Sequence, residues 1–298
     1  MRPVVEVPLR TLAPGQRCQV WTRDADGGDP VLRYETGDVL LEAPNWLPDG
    51  DLLLNGDGGL WRLSPAGELT AVPLYGVPAL NNDHVPHPSG AEVFVSANDF
   101  DVYRVPAAGG AAVRVTSERI PGLLHFLHGV SPDGSRLAFT GVTIGDRGFA
   151  AARADIYTVG VDGEDYRRLT DGPGPSDGSE FTPDGAWLLY NTEAFDGHAQ
   201  IARMRIDGTD REQLTRDDRV NWFPHAAPDG SRIVYLSYPP GTAGHPADLP
   251  VELRLVTADD WSAPVTVASL FGGQGTINVN SWAPDSSAFA YVAYPLPG

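Results

Sequence analysis

The pattern of apolar and polar positions divides the chain into six similar stretches. In each stretch a turn of proline, a polar residue and a small residue is followed by a short apolar run that favours a strand. Successive turns begin 40, 44, 51, 45 and 56 residues apart, a period typical of a propeller blade or a solenoid unit. The turns are Pro48-Asp49-Gly50, Pro88-Ser89-Gly90, Pro132-Asp133-Gly134, Pro183-Asp184-Gly185, Pro228-Asp229-Gly230 and Pro284-Asp285-Ser286.

Each repeat predicts four short strands. The sixth repeat ends after its second strand, while residues 19–22 and 31–34 have the pattern of the two missing strands. The sequence therefore predicts an all-β fold with one domain over residues 1–298. This domain is a six-bladed β-propeller of four-stranded antiparallel blades, closed by N-terminal strands that complete the last blade. Such closure removes the exposed edges that favour aggregation.

Two predicted connections are longer than the others. Residues 141–154 are rich in glycine and alanine, and residues 239–250 are rich in proline and glycine. Long loops without their own secondary structure are more often functional or disordered than idle. Both are expected to lie over one mouth of the central channel.

Composition narrows the possible partners. The formal net charge of −18 argues against a nucleic-acid partner and against adhesion to an anionic membrane. All 21 basic residues are arginine, so no lysine takes part in a mechanism, and the single Cys18 excludes an internal disulfide. The sequence has no stretch resembling a signal peptide or a membrane span, which predicts a cytoplasmic protein.

The first strand of each propeller blade lines the central channel, so residues just before each turn are expected to converge. Three histidines from three blades, His84, His128 and His225, lie three or four residues before a turn proline. Three imidazoles with the side-chain oxygen of Gln274 can hold a divalent metal, with manganese, calcium and zinc not distinguished. The alternative for each histidine is a hydrogen-bonded wall residue.

Other polar side chains surround these histidines. Asp83, Asp177 or Glu180 is the predicted proton carrier, although Asp177 and Glu180 are also expected as solvated loop carboxylates. The segment 272–276 either presents Gln274 to the channel or is only a glycine-rich turn. Trp222 offers either inter-blade packing or a stacking face for a sugar ring. The predicted substrate-binding residues are Asn45, Asn82, Asn221, Trp222, Asn278 and Asn280.

The repeat resembles the PD40 (WD40-like) repeat of TolB-like six-bladed propellers. The resemblance rests on the Pro-Asp-Gly turns, on Asp155-Ile156-Tyr157 and on Arg167-Arg168-Leu169-Thr170, and it covers the chain from about Gln19 onward. TolB itself is periplasmic and has an additional N-terminal domain, for which this sequence shows no counterpart. The resemblance therefore implies the fold and not the transport role. The predicted ligand types also resemble the manganese site of the oligogalacturonate lyases, which are propellers too, although their local spacing is not reproduced.

The favoured hypothesis is a metal-dependent enzyme with a histidine-rich pocket at the channel mouth. Its substrate would be a small carbohydrate or uronate-like molecule, and the reaction a lyase, hydrolase or isomerase reaction. Two alternatives remain at this stage. One is a non-catalytic platform for a protein partner, and the other is a small-molecule sensor that uses the same pocket without turnover.

Overall fold

The computed structural model describes residues 9–116, 120–145 and 148–297, and of residues 145 and 148–151 it describes the backbone alone. None of the described residues forms a helix. In chain order the strands are β1 (Cys18–Asp24), β2 (Val31–Thr36), β3 (Leu41–Trp46), β4 (Leu52–Gly56), β5 (Gly59–Leu63), β6 (Leu69–Val72), β7 (Leu74–Tyr75), β8 (Leu80–Pro86), β9 (Glu92–Ala97), β10 (Val102–Pro106), β11 (Gly110–Ala111), β12 (Val113–Arg114), β13 (Leu123–Val130), β14 (Arg136–Gly145), β15 (Gly148–Gly160), β16 (Arg167–Arg168), β17 (Ser176–Phe181), β18 (Trp187–Thr192), β19 (Gln200–Arg205), β20 (Glu212–Gln213), β21 (Val220–Ala226), β22 (Arg232–Tyr238), β23 (Leu249–Thr257), β24 (Asp260–Gly272) and β25 (Ala288–Ala293).

Five four-stranded sheets correspond to the first five repeats. Their orders are β3-β4-β5-β6, β8-β9-β10-β12, β13-β14-β15-β16, β17-β18-β19-β20 and β21-β22-β23-β24, numbered here as blades one to five. Neighbouring strands within each blade are antiparallel. The short strands β7 and β11 pair in parallel between blades one and two.

Blade six confirms the predicted closure of the ring. Strand β25, near the C-terminal end, pairs antiparallel with β1 from Gln19↔Ala293 to Asp24↔Ala288, and β1 pairs with β2. The innermost segment of this blade joins β25 through an isolated bridge between Trp282 and Phe289. The two ends of the chain thus complete one blade together.

The repeated turns have the geometry that their residues predict. Gly50, Gly134 and Gly185 adopt left-handed φ angles of 92°, 72° and 66°. In the sixth turn Ser286 takes the same conformation with a φ of 64°, a strain that glycine avoids elsewhere. The Asp285 side chain accepts a hydrogen bond from the backbone N–H of Ser287 at 3.0 Å, as aspartate does in such turns.

The hydrophobic core lies in layers between neighbouring blades. For example, Phe94 of blade two packs in one cluster with Leu127 and Phe139 of blade three. Another cluster joins Trp222 of blade five to Phe289 of blade six. This inter-blade packing holds the innermost strands at a fixed distance around the channel.

The two long connections differ from each other. The prediction of a loop at residues 141–154 is wrong, because β14 and β15 extend through most of it and pair as far as Gly145↔Gly148. The second connection is a loop between the end of β22 at Tyr238 and the start of β23 at Leu249. It carries His245 to the channel mouth.

Candidate functional site

The innermost strands of blades one, four and five are bulged at the same position. Ala43, Gly178 and Phe223 each stand five residues before a turn proline and have φ angles of 52°, 64° and 52°. The pairing register shifts at each of these points. Because a bulge re-aims the side chains beside it, the strands carry polar residues at two depths. We call Asp83, His128, Asp177 and His245 the mouth layer, and Glu180, His225 and Asn280 the deep layer.

A histidine–carboxylate pair joins blades three and four. His128 Nε2 lies 2.9 Å from Asp177 Oδ1, and the Thr140 hydroxyl donates to the same oxygen at 2.6 Å. Burial opposes the charge on both partners, but their hydrogen bond and mutual attraction outweigh it. The pKa of His128 is therefore raised, and that of Asp177 is held well below its usual range. Both shifts favour the ionised form of the pair, in which the carboxylate faces a protonated ring.

Asp83 of blade two is a second carboxylate beside this pair. Its side chain is buried, and burial is the main cause that raises its pKa to about 6. The charge of Asp177 raises the pKa further, whereas His128 and a hydrogen bond from Asn278 lower it. One carboxylate oxygen, Oδ1, has no hydrogen-bond partner. The two aspartates thus have pKa values moved in opposite directions, which is the usual signature of acid–base roles.

His245 completes the mouth layer from the loop of blade five. Its Nδ1 bonds the side-chain oxygen of Gln274, and its Nε2 lies 3.7 Å from Asp177 Oδ2. The ring packs on Trp222 and Phe223, with centroids 4.4 and 5.3 Å away. Burial lowers the pKa of His245. The sequence analysis did not select His245, although the long loop that carries it was expected at the mouth.

The deep layer is a closed hydrogen-bond network. His225 Nδ1 lies 2.6 Å from Glu180 Oε2, and its Nε2 donates to the carbonyl of Ile277 at 2.5 Å. The other oxygen of Glu180 accepts from the Ala226 N–H and from the Asn280 amide. The Asn45 amide in turn donates to the Asn280 carbonyl. Glu180, His225 and Asn280 therefore tie blades four, five and six together rather than facing a ligand.

The predicted metal ligands are not assembled. Both nitrogens of His225 are occupied, and His84 contacts the Leu53 carbonyl at 3.4 Å, with its pKa lowered to about 4 by burial. Gln274 bonds His245, and His128 bonds Asp177. Among the described residues, no three His, Cys, Asp or Glu side chains are grouped so as to hold a metal ion. The residue spacing predicted three histidines at one depth, but each histidine bonds a different partner, so the three rings do not converge on one point.

The remaining predicted residues fall into two groups. Asn221 is held by Gln200, Asp217 and Ser237 away from the mouth cluster, so its amide is structural. Asn82, Trp222, Gln274 and Asn278 lie with the mouth cluster. The interpretation of Asp177 and Glu180 as solvated loop carboxylates is wrong, because both lie within β17 and their side chains are mostly buried.

Glu42 and Arg10 are mouth residues that the sequence analysis missed. Glu42 stands six residues before its turn proline, like Asp177, so counting two residues further back would have found it. Burial raises its pKa to about 7, opposed by the ion pair with Arg10 at 3.0 Å. A cavity of about 150 Å³ opens here, lined by polar side chains that include Arg10, Glu42, Asn55, Asn82, Asn98 and Gln274.

Several buried side chains of the innermost strands have a polar atom without a hydrogen-bond partner. Native proteins satisfy nearly all such atoms, and the exceptions call for an explanation such as a ligand or ordered water. In the described part of the chain these atoms come from all six blades. They are Asn45 Oδ1, Asp83 Oδ1, His84 Nδ1, His128 Nδ1, Ser179 Oγ, Trp222 Nε1 and Ser281 Oγ.

Larger grooves lie at the other end of the blades. Two of them, of about 360 and 810 Å³, are lined by turn residues such as Asp184 and repeat between neighbouring blades. The described residues that line them include no histidine–carboxylate pair like His128–Asp177, so the mouth is the better candidate site. No helix long and apolar enough to cross a bilayer occurs in residues 9–116, 120–145 or 148–297.

Comparisons with known proteins agree with this architecture. Residues 126–245 match the PD40 family, described as the TolB beta propeller domain. The chain is 39% identical over 262 residues to the uncharacterized protein Atu1656 of Agrobacterium fabrum (strain C58), covering 86% of this chain and 85% of that protein. A solved structure of a candidate TolB from Agrobacterium tumefaciens is 36% identical with a TM-score of 0.85, covering 95% of this chain and 99% of that one. A manganese complex of an oligogalacturonate lyase is 14% identical with a TM-score of 0.57, covering 88% of this chain and 75% of that one, and shares the fold alone.

Proposed function

Because the chain belongs to the TolB-like family of PD40 β-propellers, whose fold alone does not define an activity, we propose a function from its site. The channel mouth is an acid–base site that acts on a small, hydroxyl-rich substrate of the carbohydrate type, as a lyase, hydrolase or isomerase. The observation that carries the proposal is the His128–Asp177 pair, 2.9 Å apart, beside the buried carboxylate of Asp83, whose Oδ1 has no hydrogen-bond partner. The pKa of Asp83 is raised and that of Asp177 is lowered, which agrees with different roles for the two carboxylates.

The proposed roles follow from protonation. Asp177 bonds His128 Nε2 and helps to raise its pKa, which favours the protonated ring. The Nδ1 atom makes no hydrogen bond of ordinary geometry, although the ring interacts with the Asn278 backbone, and we assign it as the donor to a leaving oxygen. Asp83, with a pKa of about 6, is mostly ionised at neutral pH and retains enough basicity to remove a proton. General acid and base then lie in adjacent blades, with Oδ1 of the base free.

The substrate class follows from the surrounding side chains. The partly exposed ring of His245, backed by the buried Trp222 and Phe223, offers an aromatic face on which the apolar face of a sugar ring can stack. Asn82, Asn278 and Gln274 supply amides that suit hydroxyl groups. A uronate is less well matched than a neutral sugar, because Arg10, the arginine among the described residues that line the cavity, is already paired with Glu42 and Asp248.

The metal-dependent version of the hypothesis does not fit this site. It requires His84, His128, His225 and Gln274 to converge, whereas each of the three histidines has its own separate partner. The proposed mechanism therefore contains no step through a metal ion. Elemental analysis of purified protein, before and after chelation, tests this assignment directly.

The proposal is tested with a panel of sugar lactones, neutral glycosides and uronates, with products detected by NMR. On any substrate turned over, His128→Gln and Asp83→Asn should each lower kcat by about 10²-fold or more, since positioned acid–base groups contribute that much. The matched control is His87→Gln, at the turn end of blade two. Turnover that survives both site substitutions, or that requires added metal, contradicts the proposed roles.

The same geometry also supports ligand binding without turnover, because the unpartnered atoms and the aromatic surface serve recognition equally well. A ligand that raises the melting temperature without being converted would identify this sensor role. The cytoplasmic location remains part of the proposal, and cell fractionation of the native host tests it.

A further inference from the structure

The N-terminal segment of residues 9–16 crosses the channel mouth. It begins beside blade one, where Leu9 packs near Gly58, and the following residue, Arg17, bonds Pro295 of blade six through its backbone at 3.1 Å. Between these ends the Gln16 amide donates to Asp248 in the loop of blade five at 2.7 Å. The segment therefore spans three blades, and we call it the strap.

Arg10 makes more polar contacts with the mouth than any other described side chain of the strap. The Arg10 guanidinium donates to Glu42 Oε1 at 3.0 Å, to Asp248 Oδ1 at 2.9 Å and to the Gln274 carbonyl at 2.7 Å. It also lies 4.1 Å from the centre of the Tyr294 ring. Two carboxylates, a carbonyl and an aromatic face are the partners that guanidinium groups prefer.

The walls around Arg10 are fixed by contacts that do not involve it. The Tyr294 hydroxyl donates to the Leu41 carbonyl at 2.9 Å, and the Ala43 N–H donates to the Gly275 carbonyl at 2.7 Å. Gly275 has a φ of 89°, and a Cβ there would approach Glu42 Oε1 to 2.5 Å. Glycine at this position thus leaves room for the carboxylate that faces Arg10, so the site is pre-formed.

We propose that Glu42, Asp248, the Gln274 carbonyl and Tyr294 form a binding site for a guanidinium group, which the chain fills with its own Arg10 to hold the strap closed. A ligand that carries a guanidinium group competes for this site and opens the mouth. The site reaches the acid–base cluster through Gln274, whose side chain bonds His245. This proposal concerns binding and access, and it holds whether or not the cluster is catalytic.

The first experiment is chemical complementation of Arg10→Ala. Methylguanidinium chloride is titrated into the full-length variant by calorimetry and compared with methylammonium chloride at equal ionic strength. We expect saturable binding of methylguanidinium by Arg10→Ala, and at least tenfold weaker binding by the wild type, in which the ligand must displace Arg10. Adding Glu42→Gln to the variant should weaken binding about tenfold, the effect of losing one charged hydrogen bond. Absence of saturable binding, or equal binding by wild type and variant, would contradict the proposal of a guanidinium-binding site filled by Arg10.

The second experiment measures whether the strap controls access. Diethyl pyrocarbonate modifies exposed histidines. Mass spectrometry follows His245, which bonds the side chain of Gln274 next to Arg10, with His87 at the turn end as the internal reference. The His245 rate should rise about tenfold in Arg10→Ala, because at least one charged hydrogen bond that holds the strap is lost. Arg10→Lys keeps the positive charge but lacks the planar guanidinium group with its paired N–H donors, so it should give an intermediate modification rate of His245. Equal modification rates of His245 in all three proteins, relative to His87, would contradict the proposal that the strap limits access to the mouth.

Discussion

His225 and His128 stand three and four residues before their turn prolines, each beside a carboxylate of a neighbouring blade, yet their surroundings differ. His225 has partners on both nitrogens, and both oxygens of its partner Glu180 are bonded. Among the described residues, His128 Nδ1 makes no hydrogen bond of ordinary geometry, and the second oxygen of Asp177 meets only His245, at 3.7 Å. A buried polar group with every bond made contributes rigidity, whereas one with a free atom retains the capacity to bind or react. The deep layer therefore holds the ring together, and the mouth layer is available for function.

The largest expected effect separates the two carboxylates. Glu180→Gln removes the charge that faces His225 in a buried network, and the loss in free energy of unfolding should be about 3–5 kcal/mol. Asp177→Asn changes a partly accessible carboxylate at the mouth and should cost only about 1–2 kcal/mol. Urea denaturation at pH 7 measures both, with the exposed Asp259→Asn as the control. A larger loss for Asp177→Asn than for Glu180→Gln would reverse the assignment of the two layers.

A pH-dependent effect distinguishes Asp83 from the other carboxylates. Folding raises its pKa from the ordinary value of about 3.9 to about 6, so the folded state favours the protonated form. This contribution to stability is fully present below about pH 4 and is lost as the pH rises through 6. Asp83→Asn removes the penalty of the buried charge, so it should raise the free energy of unfolding by up to about 3 kcal/mol at pH 8. At pH 4 the variant and the wild type should be alike.

Thermal and urea unfolding between pH 4 and pH 8 measure this difference. A stability gain that is the same at pH 4 and pH 8 would show that Asp83 is not held in an unfavourable charged state. The expected result instead means that the chain retains a destabilising carboxylate at the mouth, as enzymes do at sites kept for chemistry. Glu180→Gln serves as the contrast, because it should destabilise the protein at pH 8.

The sequence was sufficient to predict the ring of six blades, but not to predict which channel residues are fully hydrogen-bonded and which are not. The Pro-Asp-Gly turns predicted the blades and their closure, because proline, aspartate and glycine each impose a backbone conformation wherever they occur. The presence of His84, His128 and His225 on innermost strands was also predictable, since it follows from counting back from each turn. Which histidine is bonded on both nitrogens depends on residues from other blades, such as Ile277 for His225, and no local pattern encodes that.

The mouth itself was predicted only in part for two physical reasons. The bulges at Ala43, Gly178 and Phe223 re-aim neighbouring side chains, and Ala43 and Phe223 have no sequence feature that marks a left-handed residue. His245 and Arg10 reach the mouth from a loop and from the N-terminal segment, outside the repeat that served as the measure of depth. Segments outside a repeat are placed by long-range contacts alone.

The smallest expected effect tests whether unpartnered atoms mark the site, using buried serines. Ser281 and Ser179 are fully buried with hydroxyls that have no partner, whereas the equally buried Ser237 hydroxyl donates to Asn221 and accepts from Arg219. Removing an unsatisfied hydroxyl relieves its desolvation cost. Ser281→Ala and Ser179→Ala should therefore change the free energy of unfolding by less than about 0.5 kcal/mol, or raise it. Ser237→Ala removes a bonded hydroxyl and should lower the free energy of unfolding by about 1 kcal/mol. Urea denaturation at pH 7 measures all three variants in parallel. Equal losses at the three positions would mean that the channel hydroxyls are bonded in solution, and the unpartnered atoms would then no longer distinguish the channel from the rest of the core.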